Sequence, residues 1–221
     1  MTDQSRMVPR VPQNASPSTS LWGGAGLMVA ALLQLVAVVR SLVPAAPDWI
    51  TPLWQIVGWF VGAVVLLAAV VLLALGRGRE GGIVGRSPLG RTALIISGGS
   101  GLLNLAVIFL ALSGGDTGRA PVAGAFVGEL LVAVAATTVA AIITVRAAVL
   151  RGFARWALVL VAGVDAVSVA VQLIAPFGVV LLACVYVVRP ALMAVAGLAY
   201  ASQGRAARRT GARAVPPAAP S

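Results

Sequence analysis

The chain has 221 residues, of which 60% are apolar and only 10% are charged, and its mean hydropathy is +1.01. A soluble domain carries about 25% charged residues, so the composition excludes that class and predicts a membrane protein. The net charge of +10 comes from arginine alone, because all 16 basic residues are Arg, against six Asp and Glu. The absence of His and the single Cys184 exclude His-dependent catalysis, His-rich metal sites and an intrachain disulfide. We expect no metal, no cofactor and no enzymatic activity.

Six apolar runs follow one another along the chain, and each is long enough to cross a bilayer core about 30 Å thick. They cover about residues 22–39, 53–76, 92–113, 122–145, 156–175 and 178–200. We interpret the first run as a retained anchor and not a cleaved signal peptide. The polar residues 1–20 and the basic, then Ala- and Pro-rich residues 202–221 are predicted to be disordered tails. The fold class is therefore an all-α bundle of six transmembrane helices, forming one domain over residues 21–201.

The arginines predict the orientation, because short loops rich in Lys or Arg stay on the cytoplasmic side. Six crossings place 13 arginines on one side and only Arg40 and Arg119 on the other. Both termini are then cytoplasmic, with the arginines near anionic lipid headgroups. This distribution follows the topology and forms no folded basic face, so we expect no nucleic-acid partner. All basic residues are Arg and the chain is rich in Ala and Val, a composition that indicates a bacterial protein of the cytoplasmic membrane.

An internal repeat is a further candidate feature of the sequence. Residues 91–111 match residues 155–175 at seven of 21 positions, and the triplet at 60–62 recurs at 126–128. One interpretation is a tandem duplication of helix pairs in parallel orientation, as in some transporters. The other is chance identity within an alphabet of Ala, Val, Leu and Gly, and the sequence leaves both open.

Three ionisable residues lie inside the apolar runs: Glu129, Asp165 and Arg189. Charged groups in hydrocarbon cost about 2.5–3.5 kcal/mol on insertion scales and mark candidate functional sites. At about 1.5 Å per residue, Asp165 lies about 16 Å below the turn at Pro176 and Arg189 about 19 Å below it on the returning helix. We therefore predict that Asp165 and Arg189 pair near the membrane midplane, with Glu129 near enough in depth to share the arginine. The pair is either a working site that exchanges partners with a solute or proton, or a fixed bridge that sets packing.

Further polar side chains surround this centre. Tyr186 is one of them, on the sixth run. Gln34, Asn104 and Ser168 lie at similar depths on the three outward-running helices, so they either line a common interior or serve helix packing. The run at residues 53–76 has no polar side chain beyond Trp59, which predicts that it faces lipid.

Two small-residue clusters and one proline bear on how the helices pack. Glycines at 23, 24 and 26 and at 98, 99 and 101 predict close helix contacts. Pro190 interrupts the backbone hydrogen bonding directly after Arg189. A break beside a buried cation resembles the discontinuous helices of transporter sites.

These features favour a small transporter, or the membrane-embedded subunit of a transport complex, with Asp165, Arg189 and Glu129 as its polar centre. The alternative is a structural or scaffold protein that packs against another membrane subunit through its Gly and Ala faces. The transported species and the oligomeric state cannot be read from the sequence.

Overall fold

The computed structural model describes residues 17–42, 50–76, 82–113, 119–174 and 179–213, and these ranges form six helices and no strand. The helices are α1 (Pro17–Leu42), α2 (Ile50–Leu75), α3 (Pro88–Ser113), α4 (Arg119–Ala147), α5 (Phe153–Ile174) and α6 (Val179–Arg213). Within the described residues four segments are long and apolar enough to cross a membrane: Pro17–Arg40, Gly58–Leu75, Val127–Ala147 and Phe153–Val171. The prediction of an all-helical membrane protein is therefore supported.

The helix bounds agree with the six apolar runs to within a few residues, except at the carboxyl end. There α6 continues to Arg213, so the prediction of disorder is wrong for residues 202–213. Ala and Arg are among the strongest helix formers, and no Pro occurs between Pro190 and residue 216. At the amino end α1 already begins at Pro17, inside the segment predicted as a tail.

Each helix packs against its neighbours in the chain, and α1 packs against α6, so the six helices form a closed ring. Four of the six neighbouring pairs run antiparallel, as two contacts along each of them show. For α1 and α2 these contacts are Gly23 with Leu73 and Gly58 with Ala37, and for α2 and α3 they are Gly98 with Val70 and Gly101 with Ala63. For α3 and α4 they are Gly90 with Ile143 and Asn104 with Glu129. For α1 and α6 they are Gly24 with Gly197 and Gly204 with Pro17.

Glycine allows the seam between α1 and α6 to close tightly. A Cβ atom at Gly24 would lie 2.5 Å from the carbonyl oxygen of Gly197, and one at Gly204 would lie 2.5 Å from the carbonyl oxygen of Pro17. Such backbone-to-backbone contact leaves no room for a side chain. The glycines predicted to bring helices together do so at Gly23, Gly24 and Gly26 of α1 and, on α3, most closely at Gly98.

The expectation that the second apolar run faces lipid holds for only one side of α2, where Phe60, Val61 and Val64 are exposed. α2 lies between α1 and α3, and its buried residues include Leu66, Val70 and Leu73. A helix without polar side chains is free to place its smaller residues against both neighbours, and Ala63 and Ala69 do this. Hydropathy alone therefore does not separate a lipid-facing helix from one that supplies the core.

Large apolar side chains are exposed on the outside of the ring, as expected for helices in contact with lipid. The most exposed of them are Trp22, Val36, Phe60, Leu89, Phe109, Leu110, Trp156, Val167 and Leu198. The inward-facing side chains form one core that includes residues from all six helices.

Most described arginines gather at one end of the bundle, where α1, α3 and α5 begin and α2, α4 and α6 end. We refer to this as the arginine-rich end; its arginines are Arg86, Arg91, Arg146, Arg151, Arg155, Arg205, Arg208 and Arg209. Arg91 and Arg155, which the proposed repeat aligns, both donate to backbone carbonyls of the preceding segment, Gly85 at 3.3 Å and Val145 at 3.0 Å. The duplication itself stays a prediction.

A short turn at residues 82–85 folds into the ring at the arginine-rich end, and we call it the inward turn. Ile83 and Val84 are fully buried, and the Ile83 amide donates to the Leu73 carbonyl at 2.9 Å. The turn is closed by a hydrogen bond from the Gly85 amide to the Gly82 carbonyl, with Gly85 at φ 64°. Glycine adopts this left-handed backbone conformation without strain. The inward turn thus adds two buried apolar side chains to the core at the arginine-rich end.

Candidate functional site

The centre of the candidate site is an ion pair between α5 and α6. Arg189 Nε lies 2.6 Å from Asp165 Oδ1, so the pair expected from the helix rise is present. Asp165 is buried, whereas 28% of the Arg189 side chain remains exposed. Breaking a buried pair leaves an uncompensated charge, so each side chain holds the other in place.

Pro190, directly after this arginine, is buried within α6. It has no N–H to offer the carbonyl of residue 186. The backbone beside the cation therefore lacks one of the hydrogen bonds of a regular helix.

A narrow cavity runs through the middle of the ring beside the ion pair. The volume open to the centres of water-sized molecules is about 40 Å³, whereas about 10–15 Å³ accommodates one water molecule. Every helix contributes to its wall, as does Ile83 of the inward turn. Most lining residues are apolar, and the polar ones are Ser97, Thr137, Asp165, Arg189 and Tyr200. The cavity is therefore a small, largely apolar space with a few polar groups.

Two of the residues that line the cavity each carry a buried polar atom with no hydrogen-bond partner among the described residues. These atoms are the second carboxylate oxygen of Asp165, Oδ2, and the hydroxyl of Tyr200. Leaving such a group unsatisfied costs about 1–3 kcal/mol, and unsatisfied buried groups are rare in folded proteins. Tyr200 lies 11 residues beyond Arg189 on α6, about 16 Å toward the arginine-rich end. The two residues with unpartnered atoms thus lie at two different depths along the same cavity.

Between these levels, a pair of hydroxyl groups joins α3 to α4. Ser97 Oγ and Thr137 Oγ1 are 2.7 Å apart, and Thr137 also donates to the carbonyl of Ala133 at 2.8 Å. Thr137 is 2% exposed, so the contact is shielded from the outside of the ring. It connects the two helices at mid-height and leaves polar atoms on the cavity wall.

The third intramembrane charge, Glu129, is buried on α4 and accepts a hydrogen bond of 3.1 Å from Asn104 on α3. Its depth along α4 predicts that it shares Arg189 with Asp165. Its hydrogen bond, however, goes to Asn104 and not to the arginine. Glu129 therefore adds a second carboxylate beside the ion pair without competing for the guanidinium in this conformation.

The remaining predicted site residues are arranged differently. Gln34 is buried against Gly62 of α2, and Ser168 donates to the carbonyl of Val164 within its own helix at 2.6 Å. Neither residue, nor Asn104, is among those that line the cavity, and a common interior for the three stays a prediction. Similar depth fixes the height of a residue along its helix but not the face on which it lies. The side chain of Tyr186 lies outside the described residues.

Sequence reasoning missed two cavity residues, Ser97 and Tyr200. Ser97 precedes Asn104 by seven residues, and Tyr200 follows Arg189 by 11. Both spacings are close to whole numbers of helical turns, so each residue lies on about the same side of its helix as a polar residue that the sequence did single out. Periodicity from Arg189 would therefore have found Tyr200, whereas Ser97 is related only to Asn104, which itself lies outside the cavity wall.

Among the described residues, no three His, Cys, Asp or Glu side chains come together as metal ligands would. The arrangement offers instead a carboxylate oxygen, a guanidinium and hydroxyl groups, which can bind a small polar solute or exchange protons. No protein family model, curated protein or solved structure matches this chain.

Proposed function

We propose that the chain is a six-span protein of the bacterial cytoplasmic membrane, with the arginine-rich end and both termini on the cytoplasmic side. The four apolar segments, the antiparallel contacts around the ring and the gathering of arginines at one end support this topology. α3 and α6 complete the six spans in this proposal, because the apolar runs at about residues 92–113 and 178–200 fall on them. Anionic headgroups then face the arginine-rich end.

Within this topology the protein is a small transporter, or the membrane-embedded subunit of a transport complex, and not an enzyme. The observation that carries the proposal is the buried, unpartnered Oδ2 of Asp165, a residue that lines the central cavity together with Arg189. A purely structural bridge is expected to use both carboxylate oxygens, because the low-dielectric interior penalises an unsatisfied one. A small polar solute that bonds to Oδ2 and the guanidinium would complete the site. Asp165 and Arg189 then bind each other when the site is empty, and they bind the solute when it is occupied.

The proposal is tested by transport in proteoliposomes with Asp165→Asn, Arg189→Gln and the double variant. Currents on solid-supported membranes are recorded after concentration jumps of three probe classes: zwitterionic amino acids, monocarboxylates and alkali cations. We expect a saturable current from at least one class in the unmodified protein. Each single variant should lose this current. The double variant should also lack the current, even though removing both charges together restores folding.

Ser168→Ala is the matched control, because Ser168 is buried on α5 less than one helical turn from Asp165 but outside the cavity wall. Its current should match that of the unmodified protein. A double variant that regains the current would show that the pair is a structural bridge. Absence of any saturable current from correctly folded protein would refute the transporter.

One observation favours the scaffold alternative. The most apolar stretch of the span on α4, Val127–Ala147, is 28% buried, a smaller share than in the other three spans, and no atom of the described residues lies within 4 Å of where a Cβ of Gly128 would stand. A partner helix would cover this face. Stoichiometric co-purification of a membrane protein that cross-links to α4, together with no transport, is the result expected for a scaffold.

A further inference from the structure

A groove on the outside of the bundle lies along α1 and α6 at the arginine-rich end. Its volume is about 320 Å³, and its wall includes Met28 of α1 and Leu198, Arg205 and Arg209 of α6. The groove is separate from the central cavity, since the two share no lining residue. It lies beside the glycine seam at Gly24 and Gly197, where the two helices approach most closely.

Two arginines form the outer part of the groove. Arg205 and Arg209 are one helical turn apart, so both side chains project from the same face of α6. Both are exposed, and the described carboxylates, Glu129 and Asp165, lie in the bundle interior. Within the described part of the chain these two guanidinium groups therefore have no anionic partner, and the groove is complementary to an anion.

Toward the middle of the bundle the same surface becomes apolar. Leu198 and Val195 on α6 are 55% and 44% exposed, and Leu32 and Val36 on α1 are 52% and 56% exposed. The basic outer part and the apolar inner part form a continuous surface about the length of a lipid chain, since residues 195–209 span about 21 Å along α6. A free inorganic anion would use only the outer part, whereas a phospholipid would use both.

We propose that this groove is a specific binding site for an anionic phospholipid. The lipid phosphate lies between Arg205 and Arg209, where each guanidinium donates charge-assisted hydrogen bonds to it. One acyl chain follows the groove past Leu198 and Met28 toward the middle of the bundle. Basic sites of this kind between transmembrane helices bind anionic headgroups. The site is independent of the proposed transport function, because none of its residues reaches the central cavity.

The test is native mass spectrometry of the full chain, released from micelles that contain equal amounts of phosphatidylglycerol and phosphatidylcholine. We expect the unmodified protein to retain one phosphatidylglycerol. Arg205→Gln and Arg209→Gln each lower its retention roughly fivefold and the double variant about 30-fold, because each removes direct hydrogen bonds to the lipid phosphate. Arg208→Gln is the matched control, because Arg208 has the same charge and exposure on the same helix but lies outside the groove.

Three outcomes would overturn the proposal. Equal retention of phosphatidylcholine would show that the groove binds acyl chains without regard to charge. An equal loss in Arg208→Gln would show that the arginines act as a general positive surface. Full displacement of phosphatidylglycerol by millimolar inorganic phosphate would show a site for a free anion. The substituted arginines are exposed, so the folded state should be retained in every variant.

Discussion

The seam between α1 and α6 gives the sharpest test of how the bundle is held together. Replacing Gly24 by Ala would place a Cβ atom 2.5 Å from the carbonyl oxygen of Gly197 and 2.6 Å from the amide nitrogen of Ala201. Both are backbone atoms and cannot rotate away, so the two helices must move apart. Overpacking of this kind costs about 1–3 kcal/mol.

Gly163→Ala provides the matched control. Gly163 lies inside α5, is exposed, and has no atom within 4 Å of where a Cβ would stand. Both substitutions gain the same helix propensity, about 0.8–1.0 kcal/mol for Ala over Gly, which cancels in the comparison. The free energies of unfolding should therefore differ by the overpacking cost alone, equivalent to about 5- to 150-fold in the equilibrium constant.

The assay is equilibrium unfolding in mixed micelles, followed by tryptophan fluorescence, on Gly24→Ala, Gly163→Ala and the unmodified protein. We expect the order of stability to be Gly163→Ala first and Gly24→Ala last by a clear margin. Gly197→Ala should resemble Gly24→Ala, because it meets the Gly24 carbonyl at 2.6 Å from the other side. Equal stability of the Gly24 and Gly163 variants would refute close backbone contact at the seam.

Three further predictions use the same unfolding measurement. Arg189→Gln should cost about 3–5 kcal/mol because it leaves the buried Asp165 without a counter-charge, and Asp165→Asn should cost less because 28% of the Arg189 side chain is exposed. The double variant should recover most of the larger loss; a double variant as unstable as both losses added would mean that the two side chains are not coupled. In the connection between α4 and α5, Gly152 has φ 60° and open space around it, so Gly152→Ala should cost about 1–2 kcal/mol from the backbone alone. Ala148, already at φ 52°, should instead be relieved of strain by Ala148→Gly, and a loss of stability there would contradict this account.

Much of the fold could be predicted from the sequence because the bilayer fixes the length of each apolar run. All six helices were found in this way, and the ion pair followed from equal depth on two helices joined by a very short connection. The extension of α6 to Arg213 was not predicted, because the charge of this Arg- and Ala-rich segment indicated a disordered tail. Both residue types nevertheless favour helix strongly.

The candidate site was harder to predict because it depends on which face each helix turns inward. Depth placed Gln34, Asn104 and Ser168 at the same level, yet the cavity wall is formed by other polar residues, among them Ser97 and Tyr200. The inward turn could not be foreseen at all, because two apolar residues between glycines in a basic loop carry no periodic signal. Its burial depends on the ring that the helices form around it.

The closed ring also has a consequence for how the protein is made. Five of its six helix contacts join consecutive helices and become available as soon as the second member of each pair is synthesised. The seam between Gly24 and Gly197 instead joins residues about 170 positions apart, and translation at about 5–20 residues per second separates their synthesis by roughly 10–35 s. During that interval the glycine face of α1 has no α6 to pack against and is open to lipid or to other helices in the membrane. Closure of the ring is therefore the last step of assembly, and a chain truncated before α6 should be a preferred target for membrane quality control.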